Sequence, residues 1–469
     1  MNEERRMRKY FLFLIGMLCS FGFGVAQERG EDTLSIRCAR EALDDIVNTR
    51  GEILYAKMDE AMQASLSVDK LNSLWSGLLG QFGTCMNERG EEWECRVQNG
   101  LQIVSCRIPF SGKLDVAYQA ALQNRKIAGL YFRPLLPRED RDSAAVPVSC
   151  REKKVTVGTP SFPLPGILTL PEDSSKAVPC VLFVHGSGPQ NKDEQIGENR
   201  PFRDLAYALA AKGVASLRYD KRTFAHRTAD VFSGKGANLD GEVIEDALAA
   251  LHWLRSQKGV DSTRLFVAGH SLGGMLAPRI ARRDGDLAGL ILLAAPARPF
   301  DVLMLEQMEY MDSLSPSESG KQQIREIRRQ FCSVRASSGM KIPEEVDVPM
   351  SSLASDTVPS MLWGVPLAYW QEILSCNPVQ EALSARTPIL VLQGEKDYQV
   401  RMTDFRLWES ALQGKVPHAA FISYPMLNHL FMESAGTPSP QDYFVPRTVQ
   451  SRVAEDMAEW IIALPYPGQ

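Results

Sequence analysis

Ser271 stands in the run Gly269-His270-Ser271-Leu272-Gly273-Gly274. The apolar, strand-like segment Arg264-Leu265-Phe266-Val267-Ala268 precedes it, and Met275 to Arg283 follows with helical periodicity. Glycines at these positions permit a turn too tight for side chains, with a strand behind and a helix ahead. Such a turn strains the serine backbone and holds the hydroxyl proud of the sheet. The helix N-terminus beside it favours developing negative charge. The chemistry implied is nucleophilic attack on a carbonyl by Ser271, with the N–H of Leu272 aimed at the resulting oxyanion. By itself the motif also fits a plain strand-to-helix connection.

Three further features complete a constellation. His185-Gly186-Ser187-Gly188-Pro189 follows the apolar run Val181-Leu182-Phe183-Val184. Its glycines let the backbone fold over Ser271, so the N–H of Ser187 is the candidate second oxyanion donor. Gln393-Gly394-Glu395-Lys396-Asp397 ends another strand pattern and places Asp397 to orient an imidazole. Glu395 is the fallback acid and Asp404 a weaker one, while a helix cap or surface turn is the plain alternative for Asp397. Leu427-Asn428-His429-Leu430-Phe431 lies just past the last strand pattern, so His429 is the candidate base. Of the six histidines, His226, His252 and His418 sit in surface-like or helical contexts. His185 reads as structural, and His270 points away from the nucleophile by turn geometry. The order Ser271, Asp397, His429 along the chain is that of the α/β-hydrolase triad.

The segment from Val181 to Arg222 resembles α/β-hydrolase esterases of the dienelactone-hydrolase and acyl-transferase-like branch. The carriers are His185 to Glu194, Asn199-Arg200-Pro201-Phe202-Arg203-Asp204-Leu205 and Leu217-Arg218-Tyr219-Asp220-Lys221-Arg222, then the motifs around Ser271, Asp397 and His429. The resemblance covers residues from about 153 to 465 and implies the fold and the triad more specifically than the substrate. This chain has Asn191-Lys192 where many relatives carry Asp-Arg. The run Arg218 to Arg222 carries both signs of charge. It reads as a structural ion-pair cluster, with an anionic-substrate clamp as the functional alternative.

The elements that must position these residues follow from periodicity. Val155 to Leu170 suggests an antiparallel hairpin. Strand patterns at Cys180–Val184, Ala215–Tyr219, Leu265–Ala268, Leu287–Ala294, Ile389–Gln393 and Ala420–Tyr424 then alternate with helical ones at Phe202–Lys212, Gly241–Ser256, Met275–Arg283, Asp404–Gln413 and Thr448–Leu464. This alternation predicts an α/β fold, a mostly parallel doubly wound sheet in a catalytic domain over 153–465. Between Ala297 and Arg386 no clear strand occurs. Helical patterns at Met304–Leu314 and Gln322–Arg335 and the aromatics Trp363, Tyr369 and Trp370 predict a helical lid over about 298–386. The three rings are candidate pocket walls or ordinary core of the insertion.

Ahead of this lies a small α+β unit, 33–135, followed by a charged, proline-bearing linker, 136–152. Helical patterns at Ile36–Val47, Tyr55–Ala64 and Val68–Gly80 precede strand patterns at Glu94–Gln98, Leu101–Ile108, Leu114–Leu122 and Lys126–Phe132. Asn99-Gly100 signals a two-residue hairpin. The stretch ending Lys126-Ile127-Ala128-Gly129-Leu130-Tyr131-Phe132 resembles a small domain found ahead of hydrolases, with a cone-shaped fold like that of nuclear transport factors. A packing or dimerisation module is the reading this supports, which allows a homodimer.

Residues 1–26 carry Arg5, Arg6, Arg8 and Lys9 before the apolar run Phe11 to Val25, with Gly24 and Ala26 as small residues at a cleavage site. This predicts a signal peptide and export, periplasmic or secreted, with no stable membrane insertion after cleavage. The run is short for a membrane span. An uncleaved or lipid anchor is the minority alternative. Eight cysteines remain after such cleavage, five of them before residue 151, so any disulfide framework would mostly staple the first unit. Cys180 reads as a buried thiol. No zinc-type spacing occurs, so no metal is expected.

A net charge of -5 on 469 residues offers no phosphate-tracking surface, which excludes nucleic acid as a partner. The expected function is hydrolysis of a small-molecule ester through an acyl-enzyme, without cofactor. A serine peptidase is a rival on the same fold, but no blade-period repeat accompanies this chain. An acyl thioesterase or acyltransferase is another, although that branch often carries cysteine as nucleophile. A non-catalytic ligand-binding protein is the distant alternative.

Overall fold

The computed structural model describes residues 33–65, 67–98, 101–111, 115–135, 146–172, 176–226, 231–232, 238–314, 316, 318–346, 348, 361–362 and 365–465. The expected signal peptide 1–26, most of the expected linker 136–152 and Trp363 lie outside these residues. The chain divides into two compact units, one within 23–144 and one within 145–469.

The first unit opens with helices α1 (Thr33–Val47), α2 (Gly51–Ala56), α3 (Glu60–Ser65) and α4 (Val68–Phe82). Helix α1 buries Ala39, Ala42, Leu43 and Ile46, an apolar stripe at helical spacing. Helix α4 starts at Ser67, whose hydroxyl accepts the N–H of Lys70, and buries Leu71, Trp75, Leu78 and Phe82. An antiparallel meander follows: β1 (Glu91–Gln98), β2 (Leu101–Ile108), β3 (Asp115–Gln123) and β4 (Lys126–Leu135). Asn124 and Arg125 join β3 to β4 with φ of 50° and 66°, the two left-handed residues that a tight hairpin requires. The buried Tyr118 hydroxyl of β3 donates to the carbonyl of Ala39 at 3.0 Å and ties the sheet to α1.

The second unit is built on an eight-stranded sheet. Its strands are β5 (Cys150–Thr159), β6 (Phe162–Pro171), β7 (Val178–Val184), β8 (Ala215–Tyr219), β9 (Val260–His270), β10 (Gly289–Leu293), then β13 (Ile389–Gly394) and β14 (Ala420–Tyr424). Two short strands numbered between them, β11 (Met361–Leu362) and β12 (Val365–Pro366), pair separately. The order across the main sheet is β14-β13-β10-β9-β7-β8-β6-β5. From β8 to β14 all neighbours are parallel, while β6 pairs antiparallel with β8 and with β5.

Strand side chains alternate between two cores. Val181, Phe183, Phe266, Ala268, Leu390 and Leu392 pack toward helices α5 (Pro201–Ala211) and, at the C-terminus, Ser451–Ala463. Cys180, Leu182, Leu265, Val267, Ile389 and Val391 pack on the opposite side. There the cover is α7 (Glu245–Leu254), α8 (Leu272–Asp284) and the helix Met402–Leu412, α7 following the short helix α6 (Arg222–Ala225). Burial of both faces explains the near-continuous apolar runs of these strands.

Several boundaries differ from the sequence reading. Strand β5 begins at Cys150, inside the expected linker, because the ladder Cys150↔Pro171 continues the hairpin. The helix after Ser271 begins at Leu272 rather than Met275, so no loop separates it from that serine. The expected helix Gly241–Ser256 opens as a π-helical turn, Asp240–Ile244. Between β10 and β13 lie helices α9 (Phe300–Leu314), α10 (Glu318–Ser337), α11 (Leu367–Ser375) and α12 (Pro378–Ala385), together with the small pair β11–β12 that periodicity missed. The eight described cysteines form no disulfide, and the buried ones serve as small apolar residues of the core. Cys180 is fully buried. Among the described residues no helix is long and apolar enough to cross a membrane.

Candidate active site

Four of the loops that leave the C-terminal ends of the parallel strands meet at one place. Loops after β7 and β9 flank the point where the chain order reverses, and those after β13 and β14 reach back toward it.

Ser271 leaves β9 with φ 51° and ψ −118°, a conformation that a side-chain-bearing residue holds only under strain. Its backbone N–H donates to the Leu293 carbonyl at 2.9 Å, and Met275 N–H returns to the Ser271 carbonyl at 2.9 Å. The flanking glycines are steric necessities. A Cβ on Gly269 would stand 2.2 Å from the Gly273 carbonyl oxygen, and one on Gly273 would stand 2.2 Å from the Val184 carbonyl oxygen. Leu272 is the first residue of α8, where an N–H has no intrahelical acceptor. Ser271 and Ser187 are half-buried, whereas Leu272, Asp397 and His429 are buried.

Gly186 lies against the nucleophile, since a Cβ there would approach the Ser271 Cβ to 3.3 Å. The Gly186 N–H donates to Glu194 Oε1 at 2.6 Å. That donor is therefore occupied, while among the described residues no hydrogen bond engages the Ser187 N–H. His185 is a structural residue: its Nε2 lies 3.0 Å from the Asn191 carbonyl, and burial lowers its pKa to about 4.

Asp397 and His429 are brought together, Oδ2 to Nδ1 at 2.6 Å. The carboxylate is held by three more donors: Gln399 N–H at 2.7 Å and Val400 N–H at 3.0 Å on Oδ1, and Gln393 Nε2 at 3.0 Å on Oδ2. The two loops are joined directly by the Lys396 N–H to the Leu427 carbonyl at 2.9 Å, and Gly394 is required there because a Cβ would lie 2.3 Å from that same carbonyl oxygen. Asn428 shapes the His429 loop, its Oδ1 accepting the N–H groups of Leu430 and Met432.

His270 does more than point away from the nucleophile. Its Nε2 donates to the His429 carbonyl at 2.9 Å, and the two rings lie 4.5 Å apart. Its Nδ1 stands 2.9 Å from Glu194 Oε2, an ion-pair contact too bent for a hydrogen bond. Burial opposes charge on both groups, but the surrounding opposite charges and hydrogen bonds together outweigh it: the His270 pKa is raised, chiefly by Glu194 with the His429 carbonyl and Asp397, and that of Glu194 is lowered, by His270 and His185 with the Gly186 N–H. Glu194 lies in a motif the sequence reading quoted, yet nothing in its spacing links it to position 270.

The other candidates fall elsewhere. Glu395 accepts from the Ser423 hydroxyl on the surface, and Asp404 binds Arg298 and the N–H groups of Ala297 and Arg298. His226 reaches the Pro163 carbonyl, while His252 and His418 are exposed. Tyr369 and Trp370 are buried in the insertion, Tyr369 donating to Glu242 at 2.8 Å and Trp370 Nε1 to the Leu362 carbonyl at 3.0 Å. Both are hydrogen-bonded within the buried core of the insertion.

The Arg218 to Arg222 run is the expected ion-pair cluster. Arg218 pairs with Asp193 and Glu152, Arg222 grips Asp246 through two bonds of 2.8 and 2.6 Å, and Lys192 reaches Asp220 at 3.5 Å. A loop ion pair thus exists despite the Asn191-Lys192 departure. Among the described residues no group of three or more His, Cys, Asp or Glu side chains could hold a metal ion.

Comparison with known proteins agrees with this architecture. The Alpha/beta hydrolase family pattern matches residues 181–445. Esterase EstD of Thermotoga maritima is 31% identical over 404 residues, which span 86% of this chain and 89% of EstD. Among solved structures, an esterase of Pyrococcus furiosus aligns with 67% of this chain and 92% of its own at 14% identity and a TM-score of 0.42. Est1E from Butyrivibrio proteoclasticus aligns with 66% and 99%, at 16% identity and a TM-score of 0.40. A matching pattern that runs from β7 past His429, and a relative alike over most of both lengths, carry one conclusion: the chain belongs to the alpha/beta hydrolase family.

Proposed function

We propose that this protein is a serine carboxylic-ester hydrolase working through an acyl-enzyme. The observation that carries the reading is the 2.6 Å contact of His429 with Asp397, on a loop whose His429 carbonyl is bonded by His270, the neighbour in sequence of the strained Ser271. Ser271 Oγ bonds to the ester carbonyl carbon while His429 Nε2 takes its proton. The carbonyl oxygen becomes an oxyanion and accepts the N–H groups of Ser187 and Leu272. Collapse expels the alcohol, which receives the proton from His429. Water, deprotonated by His429, then attacks the acyl carbon, and the intermediate collapses to release the acid as Ser271 Oγ leaves and takes that proton back from His429. Asp397 fixes the tautomer and orientation of the imidazole. The esterase naming of EstD supports an ester over an amide substrate.

The motifs resemble the dienelactone-hydrolase and acyl-transferase-like branch, and the first unit fits a packing or dimerisation module. The charge and apolar pattern of residues 1–26 supports export.

The test is hydrolysis of aryl esters of graded chain length, with an aminoacyl arylamide alongside, by wild type and Ser271→Ala. Turnover and fluorophosphonate labelling vanish together in the variant. Undiminished turnover by Ser271→Ala would sink the assignment, and arylamide turnover without ester preference would redirect it to a peptidase.

A further inference from the structure

Lys221 is buried two residues after β8 and points its ammonium at the loop carrying Ser187. Its Nζ donates to the Gly186 carbonyl at 2.9 Å. That carbonyl belongs to the same planar peptide unit as the Ser187 N–H. A charged donor on the carbonyl fixes the plane of the unit, and by polarising it makes the N–H at its other end a stronger donor. On the preceding peptide the Gly186 N–H is held by Glu194 at 2.6 Å, so Gly186 is anchored on both sides.

The lysine is itself anchored. Glu242 Oε1 lies 3.3 Å from Nζ and also accepts the Thr223 hydroxyl at 3.0 Å. Its other oxygen, Oε2, accepts the Tyr369 hydroxyl at 2.8 Å. Glu242 occupies the π-helical turn Asp240–Ile244, and Tyr369 lies on α11 of the insertion. Lys221, Glu242 and Tyr369 are each less than 5% exposed: 3%, 1% and 4%. In so dry a setting the charge interactions are weakly screened, and the pairing of Lys221 with Glu242 keeps the ammonium from being an isolated buried charge.

We propose that Lys221 is a positioning residue for the oxyanion hole, acting through the Gly186–Ser187 peptide, and that Tyr369 of the insertion holds it in place through Glu242. The proposal rests on the serine-hydrolase reading above. It makes the insertion part of the catalytic machinery at a distance, since a residue of the insertion sets the aim of a donor with which no described residue of the insertion forms a hydrogen bond.

The experiment compares wild type, Lys221→Met, Tyr369→Phe and Ser271→Ala on an aryl ester, with melting temperature as the folding check. It adds the affinity for a trifluoromethyl ketone, which forms an oxyanion on the serine, and for the alcohol product, which does not. Lys221→Met is expected to lower kcat about 100-fold, to leave KM and alcohol affinity within about twofold, and to weaken the ketone by the same factor as kcat. Tyr369→Phe is expected to do the same on a scale of about fivefold. A folded Lys221→Met with kcat within about threefold of wild type overturns the proposal, as does a loss that falls on KM and alcohol affinity instead. Should Lys221→Met fail to fold, Tyr369→Phe decides by the same criteria.

The two readings fail differently. Turnover retained by Ser271→Ala removes the hydrolase assignment, whereas a dead Ser271→Ala beside a fully active Lys221→Met removes only the role of Lys221. If no ester is turned over, the fluorophosphonate labelling rate of Ser271 replaces kcat, because phosphonylation places charge in the same hole. Slowing of labelling by about tenfold in Lys221→Met supports the proposal, and an equal rate overturns it.

Discussion

Glu194 and His270 form a buried ion pair, Oε2 to Nδ1 at 2.9 Å, that joins the loop carrying the proposed oxyanion donor to the turn whose His270 bonds the loop of the proposed base. One end of the pair holds the Gly186 N–H and the other holds the His429 carbonyl. Relative placement of the proposed donor and base therefore depends on this buried pair. Glu194→Ala is expected to lower kcat by about 30- to 100-fold with little change in KM, because misplaced groups lose transition-state stabilisation first. Glu194→Gln keeps an acceptor for Gly186 and offers an N–H to a neutral His270, so its kcat should stay within about threefold of wild type. Steady-state kinetics check both. Equal damage from the two changes would show that the charge, rather than the connection, is what matters.

The nucleophile turn tolerates no side chain at Gly273, where a Cβ would meet the Val184 and His185 carbonyl oxygens at 2.2 and 2.7 Å. Both are backbone atoms of the oxyanion strand and loop, so no rotamer relieves the clash. Gly273→Ala should cost about 3 kcal/mol or more, or leave no soluble enzyme. Gly80→Ala is the contrast. No atom lies within 4 Å of its added methyl, and its site in helix α4 should make it stabilising by about 0.5–1 kcal/mol. Chemical unfolding of the two variants measures both effects.

His185 gives stability a pH dependence. Burial lowers its pKa from 6.5 to about 4, with the neighbouring Lys221 acting in the same direction. As pH falls through 6.5 the unfolded chain takes up a proton that the folded chain refuses until about pH 4. Stability therefore falls with falling pH across that window, by up to about 3 kcal/mol from this residue. His185→Gln retains a donor for the Asn191 carbonyl but no proton equilibrium. Its unfolding free energy should be flatter than that of wild type between pH 6.5 and 4, while the difference between the two proteins is constant above pH 7.5 or so. Urea titrations at a series of pH values test this.

Within the insertion, Arg335 of α10 grips the fully buried Asp301 of α9 through two bonds, at 2.5 and 2.8 Å. Asp301→Ala leaves the guanidinium buried without its counter-charge and should cost about 3–5 kcal/mol. The double change Asp301→Leu with Arg335→Met removes both charges and should recover most of that loss. Denaturation midpoints of the single and double variants give the comparison.

Much of this protein was legible in one dimension because it depends on local rules. The parallel strands bury both faces and so appear as apolar runs, and β8 and β14 coincide with their sequence patterns, Ala215–Tyr219 and Ala420–Tyr424. Ser271, Asp397 and His429 could be named because each sits at the end of a strand with a glycine or turn that such an end requires. The short pair β11–β12 was invisible, since two residues cannot establish a period. The start of β5 inside the expected linker was decided by its ladder partner at Pro171, which lies outside any local window.

Side-chain partners across long sequence separations form the other category. No spacing rule relates Glu194 to His270, or Lys221 to the Gly186 carbonyl and Glu242. Tyr369 was readable as an aromatic of the insertion, but its hydroxyl bond to Glu242 exists only because the insertion folds back over the π-helical turn. The sequence by itself determined the order of the main strands and helices and the candidate triad Ser271, Asp397 and His429, because backbone periodicity and turn sterics are local. Only the tertiary structure decided which buried charges meet, because the enclosure that makes those pairs strong is assembled from segments far apart in the chain.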